Sequence, residues 1–174
     1  MPQYTLKKLE PKPEFDMWFY AELSGETRIE HSLMEEFEPR WMDWLGKLHA
    51  YHIENQEGSG SFLLVYLDKD VDEDVDHIWN DSPSYGLSFH NLAVCMVMSA
   101  ARSLIPELEE GRCAPLPRAG EGVRDAVREL GIEWNDQKSI NRKFAVFTPY
   151  PYTGGCEICT MSASCPNSTL QKKQ

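Results

Sequence analysis

The apolar and polar positions of the 174-residue chain fall into distinct rhythms, and each rhythm predicts an element. The run SFLLVYL at residues 61–67 is almost unbroken in its apolar character, which predicts a strand covered on both faces. Residues 144–148 read as a final strand, and the aromatic-rich stretch FDMWFYAEL at 15–23 predicts another. Ser24 and Gly25 then mark a turn. Residues 49–55 fit either a strand or the end of a helix.

Helical spacing is clearest at Phe37, Trp41, Trp44, Leu45 and Leu48, preceded by a capping-box pair, Ser32 and Glu35. This stripe suits a core-facing helix better than an aromatic cofactor box. Pro39 interrupts it, so the helix is kinked there or a second one begins. Residues 89–104 are apolar on nearly every side, as expected of a buried helix, with Pro106 near its end. Residues 123–130 form a short amphipathic helix capped by Gly131. Loops are expected at 56–61, at the Asp81-Ser82-Pro83 break and at 111–122, which is built from Gly and Pro. Strands separated by helices predict an α/β or α+β fold, with a mixed sheet of three to five strands packed with helices. The chain divides into a single body at 1–148 and an irregular Cys-rich tail at 149–174, where Pro151, Gly154, Gly155 and Pro166 oppose regular structure.

Composition narrows the function classes. An apolar fraction of 41% supports a real core. A formal net charge of −11 opposes non-specific nucleic-acid binding, which needs cations to displace phosphate counterions. Lys138, Arg142 and Lys143 form the one candidate basic patch. The polar N-terminus lacks the apolar segment of a secretory signal, and the longest apolar run, 92–98, is too short to span a bilayer. The cytoplasm is therefore the default location. An odd count of five cysteines also argues against a secreted disulfide scaffold.

The sharpest chemical feature is the segment GGCEICTMSASCP, in which Cys156, Cys159 and Cys165 are spaced C-x2-C-x5-C. Two thiols two residues apart can grip one metal centre from a tight turn, and the preceding glycine lets backbone approach it. The tail is poor in apolar residues, so a metal cross-link would supply the ordering that burial does not. A fourth ligand is needed. Cys113 is the first choice, because its Gly/Pro loop is free to reach the tail, whereas Cys95 sits in the predicted buried helix and reads as a small core hydrophobe. Structural zinc more often shows two short Cys/His pairs, and here one is present; three close cysteines followed by proline favour an iron–sulfur cluster.

On these residues the segment resembles the cluster-binding end of RecB-like iron–sulfur nucleases, where the same C-x2-C-x5-C spacing joins a distant cysteine to hold [4Fe–4S]. It is similar also to the auxiliary-cluster segments of radical-SAM maturases. Either resemblance covers residues 156–166 only and implies cluster ligation. The chain lacks the Asp … Glu-x-Lys nuclease core and the C-x3-C-x2-C radical-SAM signature, so neither activity is carried over.

Three functions therefore compete. One is a small iron–sulfur protein for electron transfer or sensing. The second is an interaction module with structural zinc, its partner a basic or redox protein. The third is an enzyme of unknown class near His49, His52 and Asp43, with the cysteines as a staple. Three free thiols, or a redox disulfide in the C-x2-C pair, stay open beside them. The acidic run from Asp68 to Asp76 fails as an EF-hand, since Glu73 and Trp79 stand where glycine and a bidentate acid are required. It reads instead as a solvated helix start.

Overall fold

The computed structural model describes residues 3–56, 60–109, 112–135 and 140–170. Residues 57–59 of the predicted loop, Gly111, Lys138 of the basic patch and residues 171–174 of the tail lie outside these. Four strands form one sheet in the order β1-β2-β3-β4: β1 (Tyr4–Leu9), β2 (Leu48–Asn55), β3 (Ser61–Leu67) and β4 (Ala145–Pro149). Every neighbouring pair is antiparallel. The helices are α1 (Met17–Ser24), α2 (His31–Leu45), α3 (Lys69–Asp81), α4 (Pro83–Leu104), α5 (Pro106–Glu109) and α6 (Glu121–Glu129). The fold is α+β, the second of the two expected classes.

β3 is central, and its alternation divides the core. Leu63, Val65 and Leu67 point to one side, where they join residues of α1 to α4 in the larger cluster. Phe62, Leu64 and Tyr66 point to the other, where Val123, Ala126 and Val127 of α6 cover them. The apolar run thus has the two-sided burial its sequence predicts. The stripe on α2 is core as well: Phe37 and Trp44 are fully buried and Trp41 nearly so. Phe37 meets Tyr20 at 4.8 Å and Phe89 edge-on at 5.6 Å between ring centroids.

Three predicted features are corrected. Residues 15–23 form a helix in place of a strand. Asp16 caps it, accepting hydrogen bonds from the Trp18 and Phe19 amides at 2.9 and 3.4 Å. Gly25 ends it at φ 71°, its amide donating to the Ala21 carbonyl at 3.0 Å. The Ser32–Glu35 capping box is unused, because α2 begins at His31 with Glu30 as its N-cap, and it runs unbroken through Pro39. The acidic run is only partly solvated. Asp72, in the first turn of α3, is buried and accepts the Lys143 amide at 3.3 Å. Burial pushes its carboxyl up from the ordinary aspartate range, against the pull of Lys143 and Arg142.

The junction of α3 and α4 rests on one glycine. A Cβ on Gly86 would lie 2.5 Å from the Trp79 Cα and 2.7 Å from its Cβ. In an open helix Gly→Ala gains about 1 kcal/mol. Here the clash with backbone reverses the sign, and Gly86→Ala is expected to cost about 1–3 kcal/mol. Urea unfolding measures it; a gain in stability would mean the two helices do not approach this closely.

Candidate metal centre

The site is assembled where the chain between α5 and α6 meets the tail after β4. β3 and β4 fix the start of that tail: the Tyr150 amide donates to the Ser61 carbonyl at 3.0 Å. Thr148 Oγ1 donates to the Pro115 carbonyl at 3.1 Å, and the Tyr152 hydroxyl donates to the Cys113 carbonyl at 3.0 Å. These bonds hold the Gly/Pro loop against the tail. Leu116 then makes a two-way bridge to it. Its carbonyl accepts the Thr160 amide at 2.8 Å, and its own amide donates to Cys159 Sγ at 3.4 Å.

The tail itself is a chain of tight turns in which the cysteines recur as hinge points. The Cys159 amide donates to the Cys156 carbonyl at 3.3 Å, the Cys165 amide to the Met161 carbonyl at 3.0 Å, and the Ser168 amide to the Cys165 carbonyl at 3.1 Å. Gly155 precedes Cys156 at φ 131°, a conformation that side chains resist. The Thr169 amide returns to donate to Cys156 Sγ at 3.4 Å. Hydrogen bonding from Thr169, by its side chain first and its amide second, favours the thiolate and lowers the Cys156 thiol from its ordinary range.

The loop that carries Cys113 and the tail that carries Cys156, Cys159 and Cys165 meet here. The Cys113 thiol is pushed up by partial burial first, then by the charges of Cys159, Cys165 and Cys156. Cys95 stands apart, fully buried in α4, with its thiol pushed up to about 11 by burial. Among the described residues, no group of three or more His, Cys, Asp or Glu is arranged to hold a metal ion as it stands.

Little of the tail is fully buried. Between residues 151 and 170 only Ser168 is fully buried, and the large apolar side chains Ile158, Met161 and Leu170 are 41%, 52% and 44% exposed. Beside the tail lies an open cleft of about 880 Å³, lined by Cys159, Thr160, Glu157, Arg118, Tyr150 and Phe62 among others.

The histidine centre considered in the sequence is not assembled. Residues 49 and 52 lie on opposite faces of β2. His49 pairs with Asp68 at 2.8 Å and stacks on Tyr66, His52 packs edge-on against Tyr150, and Asp43 sits near Lys47 at 3.5 Å. Of the candidate basic patch, Lys143 is paired with Asp76 and Arg142 donates to the Asn141 carbonyl at 2.6 Å.

Sequence reasoning named the four thiols but not the Leu116 and Thr169 amides, which donate to Cys159 and Cys156. One signal was present for the first. Leu116 lies between Pro115 and Pro117, and proline has no N–H, so its amide is the sole donor of that tripeptide. Among the described residues no helix is long and apolar enough to cross a membrane. Set against protein-family models, curated proteins and solved structures, the chain matches none.

Proposed function

We propose that Cys113, Cys156, Cys159 and Cys165 hold one metal centre, an iron–sulfur cluster in preference to zinc, and that the protein serves electron transfer or redox sensing. The observation that carries this reading is the set of hydrogen bonds that lays the Cys113 loop against the tail, where two of the three tail thiols accept backbone N–H groups. Such donors stabilise thiolates and, around a cluster, help set its reduction potential. Bound there, a cluster supplies one-electron transfer. The protein's own part would be to present four thiolates and direct the Leu116 and Thr169 amides at sulfur.

Ligation there would also stabilise a tail that buries few side chains, because the free energy of binding becomes free energy of folding. Reduced thiols fit a reducing compartment, and we assign the protein to the cytoplasm. A redox or basic protein would be its partner, with nucleic acid disfavoured by the charge of −11.

The test is analysis of protein purified without oxygen, for iron, zinc and acid-labile sulfide, with a visible spectrum. About four iron and four sulfide per chain, with a broad band near roughly 400 nm, is the expected result. Zinc near one per chain without colour would make the site a structural staple. Neither metal would overturn the proposal.

A further inference from the structure

A second feature lies far from the cysteines in the sequence and does not depend on them. The segment before α1, α1 itself and α2 leave two adjoining depressions in the surface, of about 470 and 220 Å³. Met34 lines both and joins them. Met42 and Leu45 extend the floor on one side, Met17 and Ile29 on the other. Trp18 stands over the second depression with 87% of its surface exposed, and Met42 is 63% exposed.

Tryptophan is the residue most enriched at binding hot spots, and here it is left almost wholly in water. Three methionines on one surface give an adaptable apolar floor of the kind that accepts helical partners. The charged residues that line that floor have one sign. Glu14 and Glu38 line the larger depression and Glu26 the smaller, and neither is lined by a lysine or arginine.

From these observations we infer that this groove docks a basic amphipathic helix of another protein, its apolar face on Met34, Met42 and Trp18 and its cations on Glu14, Glu26 and Glu38. Charge selects this occupant over two others. A second copy of the chain would bring another acidic rim and a net charge of −11. An anionic membrane surface would be repelled by the same glutamates.

The probe is a synthetic helix of about 18 residues made of Leu and Lys, with Leu at i, i+3, i+4 and i+7. Its control has the same composition with the leucines scattered around the helix. Because any acidic protein attracts cations, the readout is the ratio of the two affinities by calorimetry at about 0.15 M salt. The amphipathic peptide is expected to bind roughly tenfold tighter or better, and the double variant Trp18→Ser/Met42→Ser to lose that advantage. Both side chains are exposed and uncharged, so the variant should keep its fold, verified by thermal unfolding, and its net charge. Equal affinities for the two peptides would overturn the inference, as would a variant that retains the difference. Dimerisation abolished by the double variant would assign the groove to a second copy, and binding to anionic vesicles without binding to the peptide would assign it to a membrane.

Discussion

Replacing Leu64 with alanine is expected to destabilise the protein by about 2–5 kcal/mol. That is a large share of the roughly 5–15 kcal/mol by which a domain is usually stable. Leu64 is fully buried at the middle of β3, opposite Tyr51 on β2 and Phe147 on β4. Its side chain faces α6, in a small cluster closed by Val123, Ala126, Val127 and Ile132. Leu63, its neighbour, faces the larger helical cluster and provides the comparison across the sheet. Leu87, 47% exposed, is the surface control, where alanine should change stability by no more than about 0.5 kcal/mol. Urea unfolding with its slope distinguishes two outcomes. A lower midpoint at constant slope means one cooperative unit. A reduced slope means that α6 and its face of the sheet unfold separately. A loss below about 1 kcal/mol would show that α6 does not seal that face.

The same two-sided strand explains what could be read from the sequence. Residues 61–67 and 89–104 are apolar in nearly every direction, and only a central strand and a central helix satisfy such patterns. Residues 15–23 carry a weaker signal that points two ways. Aromatic residues favour a strand, yet Asp16 and Gly25 frame the segment as N-cap and C′ glycine. The caps prevail because they satisfy terminal amides and carbonyls that a strand here would have had to pair with a neighbour. β1 was missed for the opposite reason. Tyr4, Leu6 and Leu9 give it little apolar weight, and it is a strand through its pairing with β2, a partner more than forty residues away. His49 and His52 looked like a shared face only while a helix remained an option; once residues 48–55 pair with β3, the two diverge. At the candidate site, thiols declare themselves by residue type, whereas amide donors belong to every residue but proline. Cys113 became a candidate through the Gly/Pro character of its loop, whereas nothing in the sequence marked Thr169.

Serine at Cys156 or Cys159 is expected to abolish metal binding and leave the tail open to proteases while the α+β body stays folded. The body should survive because the tail contributes almost nothing to its core: Ser168 is the one fully buried residue between 151 and 170. The tail should not survive, because its own apolar side chains are turned to water and its turns are held by single amide bonds at 3.0–3.3 Å. Each such bond is worth about 1 kcal/mol net, comparable to the entropy of fixing one residue, so the turns alone only break even. Metal ligation would tip that balance. Limited proteolysis with a broad-specificity protease, followed by mass analysis, reads the result directly. Wild-type protein with its metal should resist cleavage between residues 151 and 170, and both variants, like chelator-treated wild type, should be cut there while retaining the thermal transition of the body. Cys113→Ser should behave in the same way although residue 113 lies some forty residues upstream, and that result separates a four-thiol centre from a local C-x2-C device. Cys95→Ala should keep the metal and the tail, with its cost confined to the packing of α4. If Cys156→Ser and Cys159→Ser are as resistant as the wild type, the turns hold by themselves and the tail needs no metal. If only Cys113→Ser is resistant, the centre is built from the tail thiols with a different fourth ligand.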